Sequence, residues 1–158
     1  MKNNVNGNGN GGRATAPGNV ESQKKKLTAL VVDNDNFIRM LHKVLLNNLN
    51  VESQVVENGK EAVDLCLSGA VFDLILICMK MPVMDGPDAT RALRTMGVRS
   101  MIVGVTAYSK RSEKQEFMDA GLDDYHEKPL TAVKLISLLR DLRWKPIKHQ
   151  RENYVMLD

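Results

Sequence analysis

The chain has 158 residues, 43% of them hydrophobic, enough for one core of ordinary size and little room for a second domain. No run of about 18 apolar residues exists to span a bilayer, and the N-terminus lacks the apolar stretch of a secretory leader, so no membrane is involved and a soluble, intracellular protein is expected. A net charge of +3, with one Trp, three Tyr and three Phe, makes no case for nucleic-acid binding.

Residues 1–26 are rich in Asn, Gly and Ser and almost free of apolar side chains, a composition that cannot offset the entropy of ordering. A disordered tail is predicted there. Lys24, Lys25 and Lys26 read either as a nuclear address or as a solvated junction, so the expected location is cytoplasmic with the nucleus left open. The folded part, 27–142, opens with an apolar run from Leu27 to Val32 that ends in Asp33-Asn34-Asp35. This predicts a buried strand. Asp35 is placed to cap a helix in which Phe37, Met40, Leu41, Val44, Leu45 and Leu49 recur at helical spacing.

A short strand follows around 54–56, then a helix over 59–67 and a continuous apolar strand over 72–77. Cys66 and Cys78 lack metal-like spacing, which argues against a zinc site and a disulfide framework. Asp85-Gly86-Pro87 opens a third helix that stops at Gly97, and 101–105 supplies a fourth strand. A helix over 112–120 is stopped by Gly121, and a short strand lies near Tyr125. Thr131 caps a last helix with a face of Val133, Leu135, Ile136, Leu139 and Leu142; 143–158 has no such pattern and is predicted as a tail.

Five strands alternating with five helices, the strands almost continuously apolar, predict an α/β fold: a doubly wound parallel sheet covered on both faces. Ligands in such folds sit beyond the carboxyl ends of the strands. The polar residues there are Asp33 and Asn34, then Cys78, Thr106 and Lys128-Pro129.

That set, together with Val31-Val32-Asp33, Met81-Pro82-Val83-Met84-Asp85-Gly86, Thr106-Ala107 and Gly121-Leu122-Asp123-Asp124-Tyr125, resembles the receiver domain of two-component response regulators from about Leu27 to Leu142. The solitary domain and the wording around Met81 to Arg91 look most like the plant type-C regulators. The resemblance implies a flavodoxin-like sheet in order 2-1-3-4-5, a cis Lys128-Pro129 bond and a place in a His-to-Asp phosphorelay. It implies Cys78 at the phosphoacceptor position, Asp33 and Asn34 as the acid pair that holds Mg²⁺ in the family, Thr106 and Lys128 as phosphoryl contacts and Tyr125 as the switch aromatic. Two residues depart from that pattern: Cys78 stands for an aspartate, and Asn34 for an acid.

With Asp33 the sole carboxylate, Mg²⁺ is expected to bind weakly or not at all, so no cofactor is expected. The expected function is a non-catalytic, unphosphorylated receiver, not an enzyme and a monomer, that binds a histidine phosphotransfer protein. The first helix carries Phe37, Ile38, Met40, Leu41, Val44, Leu45 and Leu46, more apolar surface than one core stripe needs, which places a partner face around Ile38 and Pro129. Two rivals remain. One is an active relay receiver with the acceptor chemistry moved to Cys78 or another acid; the other is a redox sensor at Cys78. His42, His126 and His149 do not cluster and read as structural or surface residues.

Overall fold

A computed structural model describes residues 26–107 and 109–144. The expected N-terminal tail, Lys26 apart, and 145–158 lie outside the described residues. In chain order the elements are β1 (Thr28–Val32), α1 (Asn36–Asn48), β2 (Glu52–Val56), α2 (Gly59–Leu67), β3 (Leu74–Ile77), α3 (Gly86–Thr95), β4 (Met101–Thr106), α4 (Arg111–Asp119), β5 (Asp124–Glu127) and α5 (Ala132–Trp144). The strands form one sheet in order β2-β1-β3-β4-β5, and every pairing is parallel. This is the doubly wound architecture expected from the alternation.

The period of two along each strand sorts the core into two layers. Leu30, Val32, Ile75, Ile77 and Ile102 face Ala62, Ala89, Leu93 and Phe117 of α2, α3 and α4. Ala29, Val31, Leu74, Leu76, Val103 and Val105 face Leu46 of α1 and Leu135, Leu138 and Leu139 of α5. Strand β2 is an edge and mostly exposed, which fits its polar Glu52-Ser53-Gln54 start. Gly104 has no side chain for a packing reason: a Cβ there would lie 2.7 Å from Leu122 and 2.9 Å from the Phe117 ring.

Helix starts follow short polar caps. The Asp35 carboxylate accepts from the Phe37 and Ile38 amides, Asn58 from Glu61, and Asp85 from Asp88. Thr131 Oγ1 accepts from the Lys134 amide. Helix α5 runs two residues past Leu142, because a helix end can continue on backbone bonds where the apolar pattern has stopped. Among the described residues no helix is long and apolar enough to cross a membrane.

Candidate functional site

Strand order reverses between β1 and β3, and the polar residues predicted at the strand ends meet there. Asp33 follows β1, Cys78 follows β3, Thr106 ends β4 and Lys128 follows β5. The sheet ladder sets their height: the Cys78 amide donates to the Val32 carbonyl at 2.9 Å and the Lys128 amide to the Thr106 carbonyl at 2.7 Å. The Lys128-Pro129 peptide is cis, as the resemblance implied. Its ammonium reaches back into the site, 2.6 Å from Asp33 Oδ2 and 3.1 Å from Cys78 Sγ.

A cleft of about 220 Å³ opens over these residues, lined also by Asn34, Lys80 and Ser109. Its floor is buried: Asp33 is 2% exposed, Thr106 3% and Cys78 6%. Gly86 lets the loop after β3 fold this closely, because a Cβ there would run into the Cys78 carbonyl and the Phe117 ring. Val83 in the same loop is held at a φ of 70° with its side chain exposed. A β-branched residue in that region is a backbone outlier.

The charges explain the chemistry. Burial pushes the Cys78 thiol up; the Lys128 hydrogen bond opposes this and the Asp33 charge reinforces it, leaving the thiol above its usual value. It is therefore protonated at neutral pH, and it donates to the Lys80 carbonyl at 3.6 Å. Burial works against the Lys128 charge too, but the hydrogen bonds to Asp33 and Cys78 outweigh it and its pKa rises. The cluster is an ammonium shared by one carboxylate and one thiol.

Mg²⁺ takes about six hard oxygen ligands in near-octahedral array. Asp33 Oδ1 already accepts from the Asp35 amide at 2.9 Å, and Oδ2 holds Lys128. Asn34 is exposed, and the Asp35 oxygen is committed to the α1 cap. The described residues contain no group of three His, Cys, Asp or Glu able to hold a metal. This donor set does not fit the ion.

Thr106 and Tyr125 do meet, although not across the cleft. Thr106 Oγ1 donates to the Ala107 carbonyl at 2.8 Å, and the Tyr125 hydroxyl lies 2.6 Å from it. Ile38 needs a correction. It is buried, on the inward stripe with His42 and Leu46, and the exposed apolar surface of α1 belongs to Phe37, Met40 and Val44. Helical spacing of four puts 38, 42 and 46 on one side, and the polar middle member disguised that side as outward. Pro129 is exposed.

Three residues that matter here were missed in the sequence. His42 is 2% exposed and its Nε2 accepts from the Leu130 amide at 3.2 Å, which ties the loop carrying Lys128 to α1. Burial lowers its pKa, Asp33 raises it and Lys128 lowers it, with burial prevailing. Arg39 donates to the Asp33 carbonyl at 2.6 Å. Ser109 bonds Tyr125 at 2.6 Å. Only the spacing of His42 from Ile38 and Leu46 was a usable signal.

A family model described as the response regulator receiver domain matches residues 29–140. The chain is 52% identical over 121 residues to Two-component response regulator 24 of Arabidopsis thaliana, covering 77% of this chain and 87% of that one. To Two-component response regulator ORR42 of Oryza sativa subsp. japonica it is 43% identical over 104 residues, covering 65% and 77%. Among solved structures, the receiver domain of Francisella response regulator 1452 superposes with a TM-score of 0.67 at 27% identity, covering 80% and 99%. The receiver domain of the Pseudomonas aeruginosa sensor histidine kinase PA1611, with a magnesium ion in its active site cleft, gives 0.67 at 28% identity, covering 75% and 97%.

Proposed function

The chain belongs to the response regulator receiver family, and from that premise we propose that it is a stand-alone phosphorelay module that works by protein contact and takes up no phosphoryl group itself. Its relatives, plant two-component response regulators of type-C kind, set the signalling context. The observation that carries the reading is the Lys128 to Cys78 contact: the position facing the lysine holds a buried, protonated thiol. Transfer from a phosphohistidine needs an oxygen nucleophile held in line and positive charge on the moving oxygens. Neither is supplied. Each carboxylate removed some 4 Å from an ion of charge two forfeits on the order of 8 kcal/mol at an effective dielectric of about 20, before desolvation is counted. Asn34 and Cys78 remove two.

The partner is a histidine phosphotransfer protein, and the contact face combines Phe37, Met40 and Val44 of α1 with Pro129. Phe37 is 69% exposed and Met40 64%, while the His42 to Leu130 bond brings the Pro129 loop against the same helix. No cofactor and no catalysis are part of this reading, and the protein acts inside the cell.

The test is transfer of labelled phosphoryl from a histidine phosphotransfer protein in Mg²⁺. The unmodified chain and Asn34→Asp should take up none, Cys78→Asp should label slowly, and the double reversion should be far more active than either, because acceptor and metal seat act as one unit. Binding should stay within about twofold across the series and fall at least tenfold in Met40→Asp. Equal labelling of the unmodified chain and the double revertant overturns the reading.

A further inference from the structure

Three hydroxyls join β4, the start of α4 and β5. The Tyr125 hydroxyl sits 2.6 Å from Thr106 Oγ1 and 2.6 Å from Ser109 Oγ. Thr106 Oγ1 gives its proton to the Ala107 carbonyl. A hydroxyl has one proton, so the directions follow: Tyr125 donates to Thr106, and Ser109 donates to Tyr125. Ser109 is 7% exposed and Thr106 3%, so bulk water does not compete at either end. The Tyr125 ring packs against the core on the α2 to α4 side, and Lys114 of α4 lies 5.3 Å from its centroid. Lys80, at the cleft, pairs with Glu113 of α4 at 3.0 Å.

These contacts hold α4 and β5 together without any group in the cleft. We propose that Ser109 clamps Tyr125 so that the α4 and β5 surface is presented in one arrangement, independent of what occupies the cleft between Cys78 and Lys128. The proposal deepens the unphosphorylated reading and rests on it. A surface read by contact has to be set from within, and a single serine hydroxyl sets it. Ser109 is a positioning residue: it touches nothing that reacts and acts through Tyr125.

Hydrogen exchange on the full chain tests this. Ser109→Ala should raise the exchange of the α4 amides at least fivefold, Ser109→Thr should leave it near the original rate, and Tyr125→Phe should raise it as much as Ser109→Ala does. Combining Ser109→Ala with Tyr125→Phe should add nothing, because both remove the same bond. If Ser109→Ala exchanges like the unmodified chain, or the two changes add, the clamp is wrong. If Ser109→Ala proves too unstable, Tyr125→Phe against Tyr125→Leu decides, with Phe expected to keep the ring packing and still lose the protection.

A second arm uses the Cys78→Asp, Asn34→Asp double variant with Mg²⁺ and beryllofluoride, a mimic of an acyl phosphate. With Ser109 present the mimic should leave α4 exchange unchanged; with Ser109→Ala it should restore protection. A mimic that changes α4 exchange equally with and without Ser109 overturns the clamp. Failure of the double variant to bind the mimic counts instead against the reading that those two residues ended the chemistry, while the first arm still decides the clamp.

Discussion

Arg94 and Lys128 each pair with an aspartate at one end of the same sheet, Arg94 below the starts of β4 and β5 and Lys128 above the ends of β1 and β3. The two pairs match in length and cover, 2.8 Å with side chains 14% and 15% exposed against 2.6 Å with 14% and 3%. They differ in company. Arg94 donates from Nε to the Gly121 carbonyl, from one terminal nitrogen to the Val98 and Ser100 carbonyls, and from the other to Asp123, which also receives the Ile102 amide. The rigid fork of the guanidinium thus closes three stretches of chain at once. Lys128 has a carboxylate and a thiol, and a thiol is a weak partner. The turns differ in the same sense. Gly97 and Gly121 take positive φ at the lower end, whereas Val83 takes it at the upper. The lower end is built for stability, and the upper end keeps a strained residue and a sparsely bonded cation, as sites do.

Breaking the lower pair should do the most damage. Arg94→Met leaves Asp123 without its cation and three carbonyls without a donor, and should cost about 4 kcal/mol in urea unfolding. A cost under about 1 kcal/mol would show that the lower end is held by packing alone.

Lys128→Met comes next, at about 2–3 kcal/mol near pH 7, less than for Arg94 because Asp33 keeps the Asp35 amide. The pH dependence gives this its signature. The folded-state pKa of Lys128 is raised, so its contribution is fully present below the unfolded value of about 10.4 and is lost as pH rises through the folded value. Stability of the unmodified chain should therefore fall faster than that of Lys128→Met in alkali above about pH 10.4. Parallel curves there would mean that the Asp33 to Lys128 contact contributes little.

Much of the upper end was legible because of how the fold is made. Strands buried on both faces write continuous apolar runs, so their ends are visible, and in a doubly wound sheet the site is the set of residues just past those ends. Asp33, Cys78, Thr106 and Lys128 were found on that ground, and the Asp35 cap followed from local spacing. The Arg94 network was not legible, since its partners Gly121 and Asp123 lie 27 and 29 residues away and only the tertiary fold brings them together. Ser109 was hidden for the same reason, 16 residues from Tyr125. Ile38 was misplaced because α1 carries apolar residues on both sides, and which side turns inward is decided by the sheet rather than by the helix. His42 shows that an inward stripe can carry a polar residue when a backbone amide is waiting for it.

The smallest expected effect is a gain, and it asks whether the upper end holds strain. Val83 has a φ of 70° and is 77% exposed, so replacing it removes almost no packing. Asparagine tolerates the left-handed region far better than a β-branched residue, and Val83→Asn should raise stability by roughly 0.5–1.5 kcal/mol. Val83→Gly should gain less, because glycine relieves the same strain but loses more chain entropy on folding. The lower end supplies the mirror experiment. Gly97 has a φ of 85° and a Cβ built there meets nothing within 4 Å, so Gly97→Val should lose about 1–2 kcal/mol through the backbone alone. If both Val83 changes destabilise the chain, the side chain itself is held by contacts and the upper end stores no strain in that loop. If they stabilise it while leaving phosphotransfer-protein binding unchanged, the strain belongs to the loop geometry of the cleft rather than to the contact face on α1.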